Sequence, residues 1–82
     1  MISLKNNESP FVVRLVTLMN EQGWTYRSFA DKVGISWSAV LGYTRRGQSP
    51  SVDIFAAMAE VLGVSMKYLY GIDDSRDGRS KE

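Results

Sequence analysis

The stretch that decides the fold runs from Thr25 to Arg46, TYRSFADKVGISWSAVLGYTRR. Thr25 is a hydroxyl residue ahead of an apolar run in which Phe29, Ala30 and Val33 recur at helical spacing, the pattern of a capped helix with one buried face. Gly34 stands where such a helix would end in a left-handed residue, a conformation that costs glycine little. Ile35 turns inward, and Ser36 starts a second helix that buries Val40 and Tyr43, with the small Ala39 at the crossing. Two short helices on a glycine turn make a bihelical unit.

Working outward, Ser9-Pro10 reads as a cap followed by proline at the first helical position. The helix it opens runs to about residue 22 and stops at Gly23. Phe11, Leu15, Leu18 and Met19 share one face, and Val12 and Val16 widen it beyond what a simple amphipathic helix requires. Those two valines either pack against the arm before the helix, where Ile2 and Leu4 lie, or meet a second subunit. Trp24 is expected between the first and fourth helices. Downstream, Gly47-Gln48-Ser49-Pro50 has turn chemistry at both ends. Ser51 caps a fourth helix carrying Val52, Phe55, Ala56, Ala59 and Leu62, with Asp53 in its first turn. Gly63 ends it, Ser65 caps a short fifth helix, and Gly71 closes the domain. Met58 and Met66 read as core filler. From Ile72 the composition changes to IDDSRDGRSKE, which reads as a flexible tail or linker. The expected organisation is an arm over 1–9, an all-α, five-helix domain over 10–71 and a tail over 72–82.

These residues carry a likeness to a known family. The segment resembles the phage repressor and Cro type of helix-turn-helix domain, the XRE-like family. That family runs from a hydroxyl through Leu-Ala to Gly-Val-Ser and a second helix with isoleucine in its middle. Thr25, Phe29-Ala30, Gly34-Ile35-Ser36 and Val40 stand here in that register. Arg14-Leu15, Leu18 and Gly23-Trp24 upstream, and Pro50-Ser51-Val52, Phe55, Met58-Ala59, Leu62-Gly63-Val64-Ser65, Tyr68, Leu69 and Gly71 downstream, extend it over some sixty residues without a gap. The likeness implies a compact five-helix fold of the lambda-repressor kind. It also implies that the second motif helix enters the major groove of double-stranded DNA.

By that register the DNA-facing positions are Thr25, Tyr26 and Arg27 at the start of the first motif helix, then Ser36, Trp37, Ser38, Leu41, Gly42, Arg45 and Arg46, with Gln48 beyond. Tyr26 stands where the family has a phosphate-gripping glutamine, and its hydroxyl is able to donate to a phosphate oxygen. Arg27 suits a bidentate phosphate contact. Ser38 discriminates bases weakly, and Trp37 and Leu41 offer apolar contact to a thymine methyl. Arg45 and Arg46 are the candidates for a guanine fork, or they hold phosphates, or they merely favour a helix C-terminus. Gly42 either permits close approach of a duplex or marks a poorly optimised helix, since glycine there costs ~1 kcal/mol against alanine.

Composition narrows the classes. The chain has 82 residues, 44% of them hydrophobic and 23% charged, which suits one small domain with a modest core. Cysteine and histidine are absent, so thiol chemistry, disulfides and histidine acid–base catalysis are excluded. Glu21, Asp31, Asp53 and Glu60 show no pairing pattern, and no phosphate loop or metal-ligand cluster occurs, so neither an enzyme nor a cofactor is expected. No run approaches the ~20 apolar residues of a membrane span, and a cytoplasmic protein is the expected reading. The net charge is only +1. The leading expectation is a sequence-selective regulator, a repressor binding a palindromic operator as a homodimer. The alternative is an antitoxin-like protein-interaction module with a Trp37, Leu41 and Tyr43 patch. Salt separates them, because phosphate contacts are lost as salt rises.

Overall fold

The computed structural model describes residues 9–76. The arm expected over 1–9 lies outside these except for Ser9, and so does the end of the expected tail, 77–82. Among the described residues the regular elements are five helices: α1 Pro10–Gln22, α2 Tyr26–Val33, α3 Trp37–Arg45, α4 Val52–Leu62 and α5 Met66–Tyr70. The all-α expectation holds.

Each helix starts on a hydroxyl. Ser9, Thr25, Ser36, Ser51 and Ser65 sit in extended backbone and accept a bond from an amide three residues on, which satisfies one of the four donors a helix start leaves open. Thr25 also gives its own amide to the Ser28 hydroxyl at 2.9 Å, closing a reciprocal box. Gly23, Gly34, Gly63 and Gly71 end four of the helices. At Gly34 the requirement is backbone geometry: φ is +91°, a value that L side chains rarely adopt. α3 ends differently. Its C-cap is Arg46, and the amides of Arg46 and Gln48 both donate to the Gly42 carbonyl, at 3.2 and 3.0 Å.

The core gathers one stripe from each helix: Leu15, Leu18 and Met19 of α1, Phe29 and Ala30 of α2, Val40 and Tyr43 of α3, Met58, Ala59 and Leu62 of α4, and Leu69 of α5. Each fully buried aliphatic or aromatic side chain contributes ~1.5–3 kcal/mol. α2 packs on both α3 and α4, while α1 packs on α3 and α5, so the bihelical unit is fixed from behind.

Three expectations change here: the alternatives for Val12 and Val16, the place of Met66, and the reading of the segment that follows α5. Val12 and Val16 are only 6% and 1% exposed within the chain itself, so the subunit-contact reading of those two side chains is withdrawn. Met66, read as core filler, is exposed, while Met58 is fully buried as expected. Trp24 finds its ring partner on α2, stacked on Phe29 at 6.2 Å, with the Lys32 ammonium 5.0 Å from its centroid. The residues from 72 to 76 fold back on the body. Arg14 donates to the carbonyls of Tyr68 and Asp73 at 2.8 and 2.6 Å and pairs with Asp74, and the Ser65 amide donates to the Arg76 carbonyl at 2.6 Å.

Candidate nucleic-acid interface

The turn between α2 and α3 is set by Ala30, whose carbonyl accepts from the amides of both Gly34 (2.8 Å) and Ile35 (3.0 Å). Ile35 then packs against the core, and Ser36 accepts from the Ala39 amide at 3.1 Å to start α3. α3 buries Val40, Tyr43 and Thr44, and the Thr44 hydroxyl satisfies itself on the Val40 carbonyl at 2.9 Å. At about 100° per residue the positions diametrically outward from that stripe are Ser38, Gly42 and Arg45, with Trp37 and Leu41 on one flank.

The expected DNA-facing residues separate into groups. Thr25, Arg27, Ser36, Trp37, Ser38, Arg45, Arg46 and Gln48 are exposed. Trp37 is 45% exposed, and the Arg27 guanidinium lies 5.3 Å from its ring centroid, a cation–π contact that ties the outer edges of α2 and α3 together. Leu41 is half-buried. The hydroxyl of Tyr26 is buried and has no hydrogen-bond partner, so in this conformation it is not presented to a phosphate. What the start of α2 does present is its first amides, the unpaired donors of a helix N-terminus. Arg45 and Arg46, neighbours of identical type, differ. Arg46 folds back along α3 and donates from Nη2 to the Ser38 carbonyl at 2.9 Å, whereas the Arg45 side chain makes no such bond among the described residues.

Gly42 lies on the outward stripe and is nevertheless buried. Gln48 and Arg46 cover it: a methyl at position 42 would overlap the Gln48 amide oxygen and stand 3.4 Å from Arg46 Nη2. The mid-helix glycine was the signal in the sequence, but its partner, six residues on in a loop, was not. Tyr43 is 8% exposed and belongs to the core. The expected apolar patch of Trp37, Leu41 and Tyr43 therefore keeps the exposed Trp37 and the half-buried Leu41 and loses Tyr43.

Charge is segregated. No carboxylate occurs between Asp31 and Asp53, the span that contains all of α3 and its flanking loops. The two ion pairs among the described residues, Arg14–Asp74 and Arg76–Glu21, belong to α1 and the segment after α5. The Arg76 guanidinium meets Glu21 through two 2.9 Å bonds, holding the Glu21 carboxyl below its ordinary value and raising Arg76 above its own. Among the described residues Arg27, Arg45 and Arg46 have no such partner. A net charge of +1 thus hides a face whose cations are unneutralised. Among the described residues no helix is long and apolar enough to cross a membrane, and no group of acidic side chains is placed to hold a metal ion.

A family model described as helix-turn-helix matches residues 15–69, more than half of the chain and all of α2, α3 and α4. Over 64 residues, 78% of this chain, the sequence is 31% identical to an uncharacterized HTH-type transcriptional regulator, YobD, of Bacillus subtilis (strain 168). The match spans 57% of that relative's length. With the helix order, the glycine turn and the uncovered cationic face in place, the chain belongs to the DNA-binding helix-turn-helix family of the phage repressor and Cro (XRE-like) type.

Proposed function

We propose that the chain is a sequence-selective transcriptional regulator that lays α3 in the major groove of duplex DNA and represses by occupying a promoter in the cytoplasm. One observation carries this reading: Arg27 on α2 and Arg45 and Arg46 at the end of α3 are exposed without a carboxylate partner among the described residues, and α3 lies in a stretch, 32–52, that holds no acidic residue. A surface of that kind is matched to phosphates, and the helix between them is matched to base edges. The Bacillus relative is itself named a transcriptional regulator.

In this reading the first amides of α2, at Tyr26 and Arg27, together with Thr25 and the Arg27 guanidinium, hold phosphates at the groove edge. Ser36 keeps the start of α3 fixed. Trp37 and Leu41 lie against sugar or a thymine methyl, and Ser38 and Arg45, the outermost side chains of α3, reach base edges. The operator is two-fold, with half-sites about one helical turn apart, and is bound by a homodimer. Its self-contact falls on the apolar surface that begins just past α3, around the cleft lined by Phe11, Pro50, Val52, Phe55 and Tyr70.

The test is a pair of substitutions measured on a duplex selected from a random pool. Arg45→Ala should weaken binding to the selected site by ~1–3 kcal/mol and relax preference at one base pair. Arg27→Ala should weaken all duplexes about equally and reduce the salt slope by ~1. Equal loss on every sequence for both variants would contradict the assignment of Arg45 to the bases.

A further inference from the structure

We propose that Gly42 is a seat for the Gln48 side chain, and that the Gln48 carboxamide, held there with Arg46, supplies the base-edge contact that the centre of α3 lacks. The proposal rests on the DNA-binding reading above and assigns specificity within it. The outward stripe of α3 reads Ser38, Gly42, Arg45, so its middle has no side chain. The backbone there does not demand glycine, because Gly42 is not among the residues with positive φ. A helical glycine without a conformational reason costs ~1 kcal/mol against alanine. What a side chain at 42 would change is the seat of Gln48. A Cβ at position 42 would overlap Gln48 Oε1, lie 3.0 Å from Gln48 Cδ and stand 3.4 Å from Arg46 Nη2.

The backbone of both covering residues and the Arg46 side chain are tied to α3. The amides of Arg46 and Gln48 both donate to the Gly42 carbonyl, and Arg46 Nη2 donates to the Ser38 carbonyl at 2.9 Å. The chain leaving α3 is thereby turned back across its own outward stripe, with Gln48 exposed. Its amide oxygen is turned onto Gly42, which leaves the Nε2 donors of the carboxamide to meet a base-edge acceptor such as purine N7. No amide side chain on α3 itself supplies such a donor, since WSAVLGYTR contains neither asparagine nor glutamine. A loop residue thus stands in for the absent side chain of the recognition helix.

A mutant cycle on the duplex selected by the unaltered chain tests this. Gln48→Ala should lower affinity about 2- to 10-fold and relax preference at one base pair, the range expected for one hydrogen bond. Gly42→Ala should displace the carboxamide and produce a similar loss with no fall in melting temperature. The double variant should bind no worse than either single one. Unchanged site preference in Gly42→Ala, or losses that multiply in the double variant, would overturn the seat. Selection of no duplex by the unaltered chain would instead sink the DNA-binding reading and this assignment with it.

Discussion

At the start of α2 the Tyr26 hydroxyl stands where a phosphate donor is expected. The structure buries that hydroxyl without a partner. A buried unsatisfied polar group costs ~1–3 kcal/mol. Tyr26→Phe should therefore raise stability by about 1 kcal/mol, measured by denaturant unfolding, and leave duplex affinity unchanged. A fall in affinity on all sequences would restore the phosphate role. The arginine pair makes a related point. Nothing in residue type separates Arg45 from Arg46; what separates them is their place on the helix, which lets Arg46 alone run back to the Ser38 carbonyl. Residue type was legible there, and residue role was not.

For whole elements, the boundaries were legible because their punctuation is local. Hydroxyl caps at Ser9, Thr25, Ser36, Ser51 and Ser65 and glycine stops at Gly23, Gly34, Gly63 and Gly71 mark four helices at both ends and α3 at its start. The segment after α5 was not legible in the same way. Its polar composition reads as tail, yet residues 72–76 are held by bonds to partners more than fifty residues away: Arg14 reaches Asp73 and Asp74, and Arg76 reaches Glu21. Such pairing leaves no periodic trace. It does leave a pH signature. The two hydrogen bonds from Arg76 lower the pKa of Glu21 in the folded state. The pair therefore contributes stability above the ordinary carboxylate pKa, and that contribution disappears as pH falls through the lowered value. Glu21→Gln should be less stable than the unaltered chain at neutral pH, with the difference closing in acid. Thermal melts from neutral pH to below pH 4 would show it, and a difference independent of pH would remove the ion pair from the stability of this segment.

Over the whole molecule, the distribution of charge and apolar surface matters more than either total. A net charge of +1 says little about partners. The separation of paired arginines on α1 and the C-terminal segment from unpaired ones on α2 and α3 says far more, and it emerges only once the chain is folded. Apolar surface behaves likewise. The valines suspected of a subunit contact went inside, whereas Val52 and Tyr70 stay 74% and 62% exposed beside the loop that follows α3. If that surface joins two copies on a two-fold operator, Val52→Glu should weaken self-association in sedimentation and binding to a full operator, while binding to a half-site stays unchanged. Equal association in the variant would move the contact elsewhere. The proposal that the α3 face reads a duplex is tested most directly by titrating salt against affinity for the selected duplex and for its scrambled counterpart. The expected result is a log–log slope of roughly −0.9 per phosphate held, with the scrambled duplex bound ~10³-fold or more weaker at physiological salt. A flat salt dependence, or equal affinity for the two duplexes, would contradict it.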